Sequence, residues 1–317
     1  MLLRLIPKDT HIPFMKMRNV AYAISLVMVV ASVALFFMRG LNLGIDFVGG
    51  STIEIQTPEA ADVGKIRTML GELDLGDVSV QEFGADTEVL IRFEEQEGGE
   101  EAQKAAQIRV EQKLQADIPG VSIRSTSFIG PKVSSELARD GFLAVSLSVV
   151  AVLIYIWFRF EWQFGLGAVV ALVHDVFLTV GFFSITQLDF NLSIIAAILT
   201  IVGYSLNDTV VVYDRVRENM RKFRKMPLPE LIDQSVNDTL SRTIMTSLTT
   251  LLALAALFFF GGTVIRGFTA AMIWGIVVGT YSSIFIASPV LLLLNLRSTT
   301  FDETDGDNPN VESTSLS

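Results

Sequence analysis

Asn207 and Asp208 stand side by side in the stretch IVGYSLNDTVVVYDRVRENMRK, residues 201–222. Its first half is apolar enough for a lipid bilayer. An ionisable group at that depth costs about 2.5–3.5 kcal/mol on insertion scales, so it normally faces a polar interior and serves a function. Arg242 follows at the start of a later apolar run, and Asp175 lies inside an earlier one beside His174. Burial and a neighbouring arginine act on a carboxylate's proton affinity in opposite senses. A carboxylate held between the two exchanges a proton as its neighbour moves, which is what a proton relay requires. Asp208, Arg242 and Asp175 are the candidate relay, with Asn207 and His174 as supporting polar groups. Each also has a plainer reading. Asp208 could be hydrogen-bonding glue between helices, Arg242 could snorkel to headgroups, and Asp175 with His174 could be a structural pair. Asp214 and Arg215 read as interfacial anchors.

The elements that must position these groups are apolar runs of about the 20 residues a membrane helix needs. Half of the 317 residues are hydrophobic and the mean hydropathy is +0.50, which excludes an ordinary soluble domain. Six runs stand out, at 19–38, 142–158, 164–186, 192–213, 243–260 and 268–296, with Pro289 placed to kink or end the last. The first is longer than a usual signal core and lacks a small-residue cleavage site before Arg39, so no cleavable signal peptide is expected. Asp208 lies about five residues from the end of the fourth run, roughly 8 Å deep. In the fifth run Thr243, Ser247 and Thr250 share a side. In the sixth, Gly275, Gly279, Ser283 and Ala287 recur every four residues, a stripe suited to close helix packing.

Lys and Arg set the orientation. They gather at the start (Arg4, Lys8, Lys16, Arg18), after the second run (Arg159) and after the fourth (Arg215, Arg217, Arg221, Lys222, Arg224, Lys225), while TQLDFN has none and GGTVIRGF has one. Both termini are therefore expected on the cytoplasmic side: 1–18, the basic segment 214–241 and the acidic tail 297–317, whose composition reads as disordered. Residues 39–138 are expected outside. From 40 to 138 there are 18 acidic and 8 basic residues, a net charge of −10 that equals the whole chain's formal charge. Its elements read as strand 50–56, helix 59–73, strands 77–83 and 88–94, helix 100–115 and strand 121–128. That order is the ferredoxin-like α+β motif. The fold class is a polytopic α-helical membrane protein, six transmembrane helices (19–38 and within 139–296) plus one external ferredoxin-like domain between the first two. With no cysteine in the chain, that domain has no disulfide framework. Its carboxylates read as a solvated surface; the weaker reading is an extended peptide docked along a sheet edge.

Several classes fall away. No G-x-x-x-x-G-K-[ST] occurs, so no P-loop hydrolysis of nucleotide is expected. An intramembrane aspartyl protease would resemble YD with GLGD, whereas this chain reads GYSLND. The basic segment beside a membrane end points to topology and anionic lipid rather than nucleic acid. No enzyme activity, cofactor or metal is expected.

Three motifs, GIDFVGGS (44–51), VGYSLNDTVVVYDRVREN (202–219) and LSRTIMTSLTT (240–250), closely resemble the SecF family, the smaller membrane subunits of the SecDF accessory of bacterial protein export. The resemblance spans 13–296, and six spans with one large external domain after the first match it too. It implies a relative of the resistance–nodulation–division transporters in the cytoplasmic (inner) membrane. It further implies a SecD partner in a heterodimer, association with the SecYEG channel and with YajC, and proton-motive-force-driven help for unfolded preproteins on the outer side. By motif match, the family's proton-pathway aspartate falls on Asp208 and its arginine on Arg242. The alternatives are a membrane scaffold that moves no protons, or half of a proton antiporter for small molecules or lipids.

Overall fold

The computed structural model describes residues 10–159, 161–262 and 265–294. Arg4, Lys8 and the acidic tail lie outside them. Among the described residues six helical stretches are long and apolar enough to cross a membrane: α1 (Arg18–Arg39), α5 (Pro131–Arg159), α6 (Trp162–Thr186), α7 (Leu192–Lys222), α8 (Leu228–Phe260) and the continuous run Arg266–Leu293. That last run is α9 (Arg266–Ser282), a π-helical turn (Ser283–Ala287) and α10 (Ser288–Leu293). The π turn has a local cause. Pro289 has no N–H to donate and its ring would crowd the carbonyl of Phe285 in a regular helix. The extra residue in the turn relieves that, and side chains take up freed carbonyls: Ser288 Oγ donates to Ser283 O at 2.8 Å and Tyr213 Oη to Ala287 O at 3.0 Å.

The helices exceed their apolar runs where those runs are flanked by polar residues of good helix propensity. α5 starts at Pro131, α7 continues to Lys222 and α8 begins at Leu228. Hydropathy sees only the part that can lie in lipid. Close contacts are made by small residues. A Cβ on Gly275 would meet Ile201 side-chain atoms at 2.3–2.7 Å, one on Gly279 would meet Ser205 Cβ at 3.0 Å, and one on Gly181 would meet Ser32 Cβ at 2.4 Å. The stripe in the last span is therefore the seam between α9 and α7, and Gly181 lets α1 sit against α6.

Between α1 and α5 lies the α+β domain. A short helix α2 (Ile45–Val48) leads to strand β1 (Gly50–Gln56), helix α3 (Val63–Gly71), strands β2 (Val78–Phe83) and β3 (Ala85–Phe93), helix α4 (Gly99–Asp117) and strand β4 (Ser122–Ile129). The sheet order is β2-β3-β1-β4, antiparallel at every pairing, as the ferredoxin-like motif requires. Ile53, Ile55, Val89, Ile91 and Phe93 pack on one sheet face against Ile66 and Leu70 of α3 and Val110 and Leu114 of α4. Gln103 is buried with them and donates to Ser51 Oγ at 2.7 Å. The two adjacent glycines are needed: Gly49 and Gly50 have φ of +75° and +105°, and a Cβ on Gly50 would lie 2.6 Å from the Phe93 carbonyl oxygen.

The domain is fastened to the bundle. Backbone bonds run from Gly44 N to Phe190 O and from Phe190 N to Asn42 O, both 2.8 Å. Arg92 of β3 forms an ion pair with Asp189 in the α6–α7 loop, and Asn42 Nδ2 donates to Asp189 Oδ1 at 3.0 Å. Asp46 accepts from Leu192 N at 2.8 Å, so it caps the first turn of α7 from outside that helix.

Candidate functional site

The register of α7 against α8 can be read from two bonds. Tyr204 Oη donates to Ser247 Oγ at 3.3 Å, and further along Asn219 Nδ2 donates to Ser235 Oγ at 3.0 Å. In this antiparallel pair, one turn on from Tyr204–Ser247, Asp208 is level with Thr243. Asp208 is 3% exposed and Thr243 2% exposed. Asp208 Oδ2 and Thr243 Oγ1 are both without a hydrogen-bond partner among the described residues. Arg242 is at the same level, on a neighbouring face of α8 that is exposed. It makes no ion pair with Asp208 within this chain. An orphaned buried oxygen costs roughly 1–3 kcal/mol. Uptake of a proton, or approach of a guanidinium, removes that cost.

Asn207 does not share this site. It is exposed, on the opposite side of α7 from the core. There it continues a run of exposed small and polar residues, Ser193, Ala196, Thr200 and Gly203, at alternating spacings of three and four. On α8 the exposed residues Arg242, Thr246, Thr249, Ala253 and Ala256 repeat the pattern. Faces of this kind suit close approach of another helix in a bilayer better than they suit lipid.

Asp175 sits apart from Asp208. It is fully buried on α6, 11 residues from that helix's domain-side end at Thr186 and so about 16 Å deep, near mid-membrane. Its carboxylate is bonded on every side. Ser205 Oγ of α7 donates to it at 2.5 Å and Ser282 Oγ of α9 at 2.8 Å. His174 Nδ1 lies 2.9 Å from its other oxygen. The node is continued by Thr209 and Ser283, whose hydroxyls are 3.0 Å apart. His174 Nε2 is buried and has no hydrogen-bond partner among the described residues. At the helix end Arg159 pairs with Asp214 at 3.1 Å, and Arg215 with Glu218 at 3.0 Å.

The structure thus groups Asp208 with the level of Arg242, ties Asp175 to His174, and separates Asn207 from both. Sequence reasoning missed Ser205 and Ser282, the domain clamp at Asp46, Arg92 and Asp189, and the exposed faces of α7 and α8. The spacing 193, 196, 200, 203, 207 was a usable signal for one of those faces. Among the described residues no cluster of three His, Cys, Asp or Glu side chains that could hold a metal occurs.

Comparison with known proteins gives a consistent result. Residues 109–297 match the family described as protein export membrane protein SecD/SecF, C-terminal, and residues 34–57 match the SecD/SecF GG motif. The chain is 48% identical over 306 residues to protein translocase subunit SecF of Rhodobacter capsulatus, covering 93% of this chain and 92% of that one. It is 47% identical to the subunit of the same name from Rickettsia felis, over 93% and 96% of the two. Among solved structures it resembles SecDF, a translocon-associated membrane protein from Thermus thermophilus, with TM-score 0.85 and 34% identity over 92% of this chain. A SecDF structure in a super-membrane-facing form matches with TM-score 0.67 over 94% of the chain. In both cases the match spans 40% of the SecDF chain's length.

Proposed function

The chain belongs to the SecF family of protein translocase subunits, and on that premise we propose that it is half of a proton-motive-force-driven accessory of the general secretion translocase. In this reading it helps preproteins across the cytoplasmic membrane from the outer side, with both termini cytoplasmic and the ferredoxin-like domain outside. The observation that carries the reading is Asp208: a carboxylate buried at bilayer depth with one oxygen orphaned, level with an arginine that faces out of the chain. A titratable group without a saturated bonding shell is poised to change its proton occupancy when a neighbour moves. One charge crossing about 100 mV releases about 2.3 kcal/mol, enough to bias a conformational change.

The other half is SecD. The small polar faces of α7 and α8 are open at membrane depth, and Arg242 and Asn207 project from them. The SecDF chains of which this one spans 40% carry further polypeptide beyond the matched part. SecYEG, YajC and unfolded preproteins are further partners in this reading. Asp175 takes the role of a structural node beside the relay.

The test is export into vesicles containing the purified complex and channel, with and without a proton gradient. Asp208→Asn keeps size and hydrogen bonding but cannot titrate. Its complex assembles and loses the gradient-dependent component of export. Arg242→Lys keeps the charge without the planar fork and is impaired. Full gradient-stimulated export by an assembled Asp208→Asn complex would overturn the relay and favour a scaffold.

A further inference from the structure

An apolar groove opens between α1 and α5 on the side of the bundle that carries the α+β domain. Its volume is about 680 Å³, and its lining includes Phe36 and Phe37 of α1, Phe142 and Val145 of α5, Val180 of α6 and Ile198 of α7. It exists because α5 touches the bundle at few points. Gly141 lies against α7, where a Cβ would be 3.7 Å from Ile195 and Leu192, and Ile156 is buried near the far end. Between them Leu147 and Val150 face outward.

The depth of the groove is that of one leaflet. It begins at Leu43 and Phe47, at the domain-side ends of the helices, and its deepest lining residue on α6 is Val176. Val176 is ten residues from the end of α6 at Thr186, or about 15 Å, half of a hydrocarbon core of about 30 Å. At the rim stand two cations. Arg39 ends α1, between the lining residues Phe37 and Leu41; its Nη1 donates to Ile185 O at 3.0 Å, and its other donors have no bonded partner among the described residues. Arg139 follows the lining residue Ala138 and is exposed without a bonded partner among the described residues. Asp140 follows it; Arg39, Arg139 and Asp140 all lie outside the apolar lining itself, so the rim carries two cations and one anion, a net charge of +1.

We infer that this groove is a specific site for an anionic phospholipid of the domain-side leaflet, one acyl chain lying between α1 and α5 and the phosphate at Arg39 and Arg139. A partner helix is the poorer occupant. Helices pack in membranes through small residues, and here the walls are mostly Phe, Val, Leu and Ile, with Ser32 and Ala138 the two small side chains, whereas the small-residue faces lie on α7 and α8. The volume is within the range of about 300–1,000 Å³ usual for ligand sites.

The full chain, exchanged into micelles with equal phosphatidylglycerol and phosphatidylcholine of the same acyl chains, is examined by native mass spectrometry. The wild type retains one phospholipid and prefers phosphatidylglycerol by about fivefold per rim cation. Arg39→Gln with Arg139→Gln, both exposed changes, brings the ratio near one. Val180→Trp fills the groove and abolishes retention with helix content unchanged. As an independent reading, a Phe142→Trp reporter is quenched more by phosphatidylglycerol brominated in mid-chain than by the matching phosphatidylcholine. Equal retention of the two lipids by the wild type would overturn the site. So would undiminished retention in a folded Val180→Trp protein, or equal quenching by the two brominated lipids. Capture of a polypeptide rather than phospholipid by a photoreactive side chain at Phe142 would overturn it as well.

Discussion

Two carboxylates are buried in the same helical bundle, and they are treated oppositely. Asp175 is surrounded by donors from three helices: His174 on its own, Ser205 from α7 and Ser282 from α9. Asp208 has an oxygen that nothing among the described residues satisfies. A saturated carboxylate holds helices in register and resists change, because any change orphans several groups at once. An unsaturated one leaves its bonding to be completed by something that comes and goes. On the function proposed above, it is the state of the bonding shell rather than burial that distinguishes Asp208 as the proton site.

The largest effect expected from this contrast is at Asp175. Asp175→Ala leaves the Ser205 hydroxyl and the His174 imidazole without their acceptor in a dry interior, with Ser282 Oγ retaining only Gly279 O, and destabilises the chain by about 3–5 kcal/mol, read as a lower unfolding midpoint in detergent and poor accumulation in membranes. A wild-type midpoint for this variant would break the comparison. Asp175→Asn sharpens it. The amide oxygen still accepts from the two serines, while the amide nitrogen faces His174 Nδ1, which accepts only if the imidazole moves its proton to Nε2, unpartnered among the described residues, so the loss is smaller, about 1–3 kcal/mol.

The third effect is at the far end of α7. Asp46→Ala removes the cap on Leu192 N and costs about 1 kcal/mol, seen as faster protease cleavage between the domain and α1. Asp46→Asn retains an acceptor and restores most of the protection. Asp208→Leu is smaller still. Replacing an orphaned polar group by an apolar one of similar size is nearly neutral or mildly stabilising, within about 1 kcal/mol, while the proposed proton-dependent function is lost.

The smallest effect concerns a half-buried carboxylate outside the membrane. Burial, and then the nearby Glu88, push Glu54 above the usual carboxylate range. A folded-state value above the unfolded one means that its contribution to stability is fully present at low pH and is lost as pH rises through the carboxylate range. Glu54→Gln is therefore slightly stabilising at about pH 7, and the difference closes below about pH 4, measured by denaturant unfolding at the two pH values.

Much of the architecture was legible because it is local. Apolar runs mark the spans, and alternation with helical spacing marks the strands and helices of the α+β domain in their order. Asp208 was also visible, since a carboxylate in an apolar run is conspicuous by itself. What was not legible is which groups meet. Ser205 and Ser282 are 30 and 107 residues from Asp175, and serines in membrane helices are too common to single out. Asn207 is adjacent to Asp208 in sequence, yet a step of about 100° along a helix turns it to the outside. Arg242 likewise reads as Asp208's neighbour in depth, while its direction around α8 is fixed only by packing.

The clamp between the domain and the α6–α7 loop has a consequence for the order of events during synthesis. Asp46 and Leu192 are 146 residues apart in the chain, and Asn42 and Asp189 are 147 apart. The domain's own strands and helices are complete by Ile129, so its core can close while its docking surface does not yet exist. At about 5–20 residues per second, roughly 7–30 s pass between the emergence of Asp46 and that of Leu192. For the last 63 residues of that interval, from Ile129 to Leu192 and roughly 3–13 s, the finished domain is held only by its links to α1 and α5, and it is seated only when the third and fourth spans have been threaded with the correct ends towards it. A wrongly threaded pair would leave Arg92 and Asp46 without their partners, so the clamp also serves as a late check on how the chain was inserted.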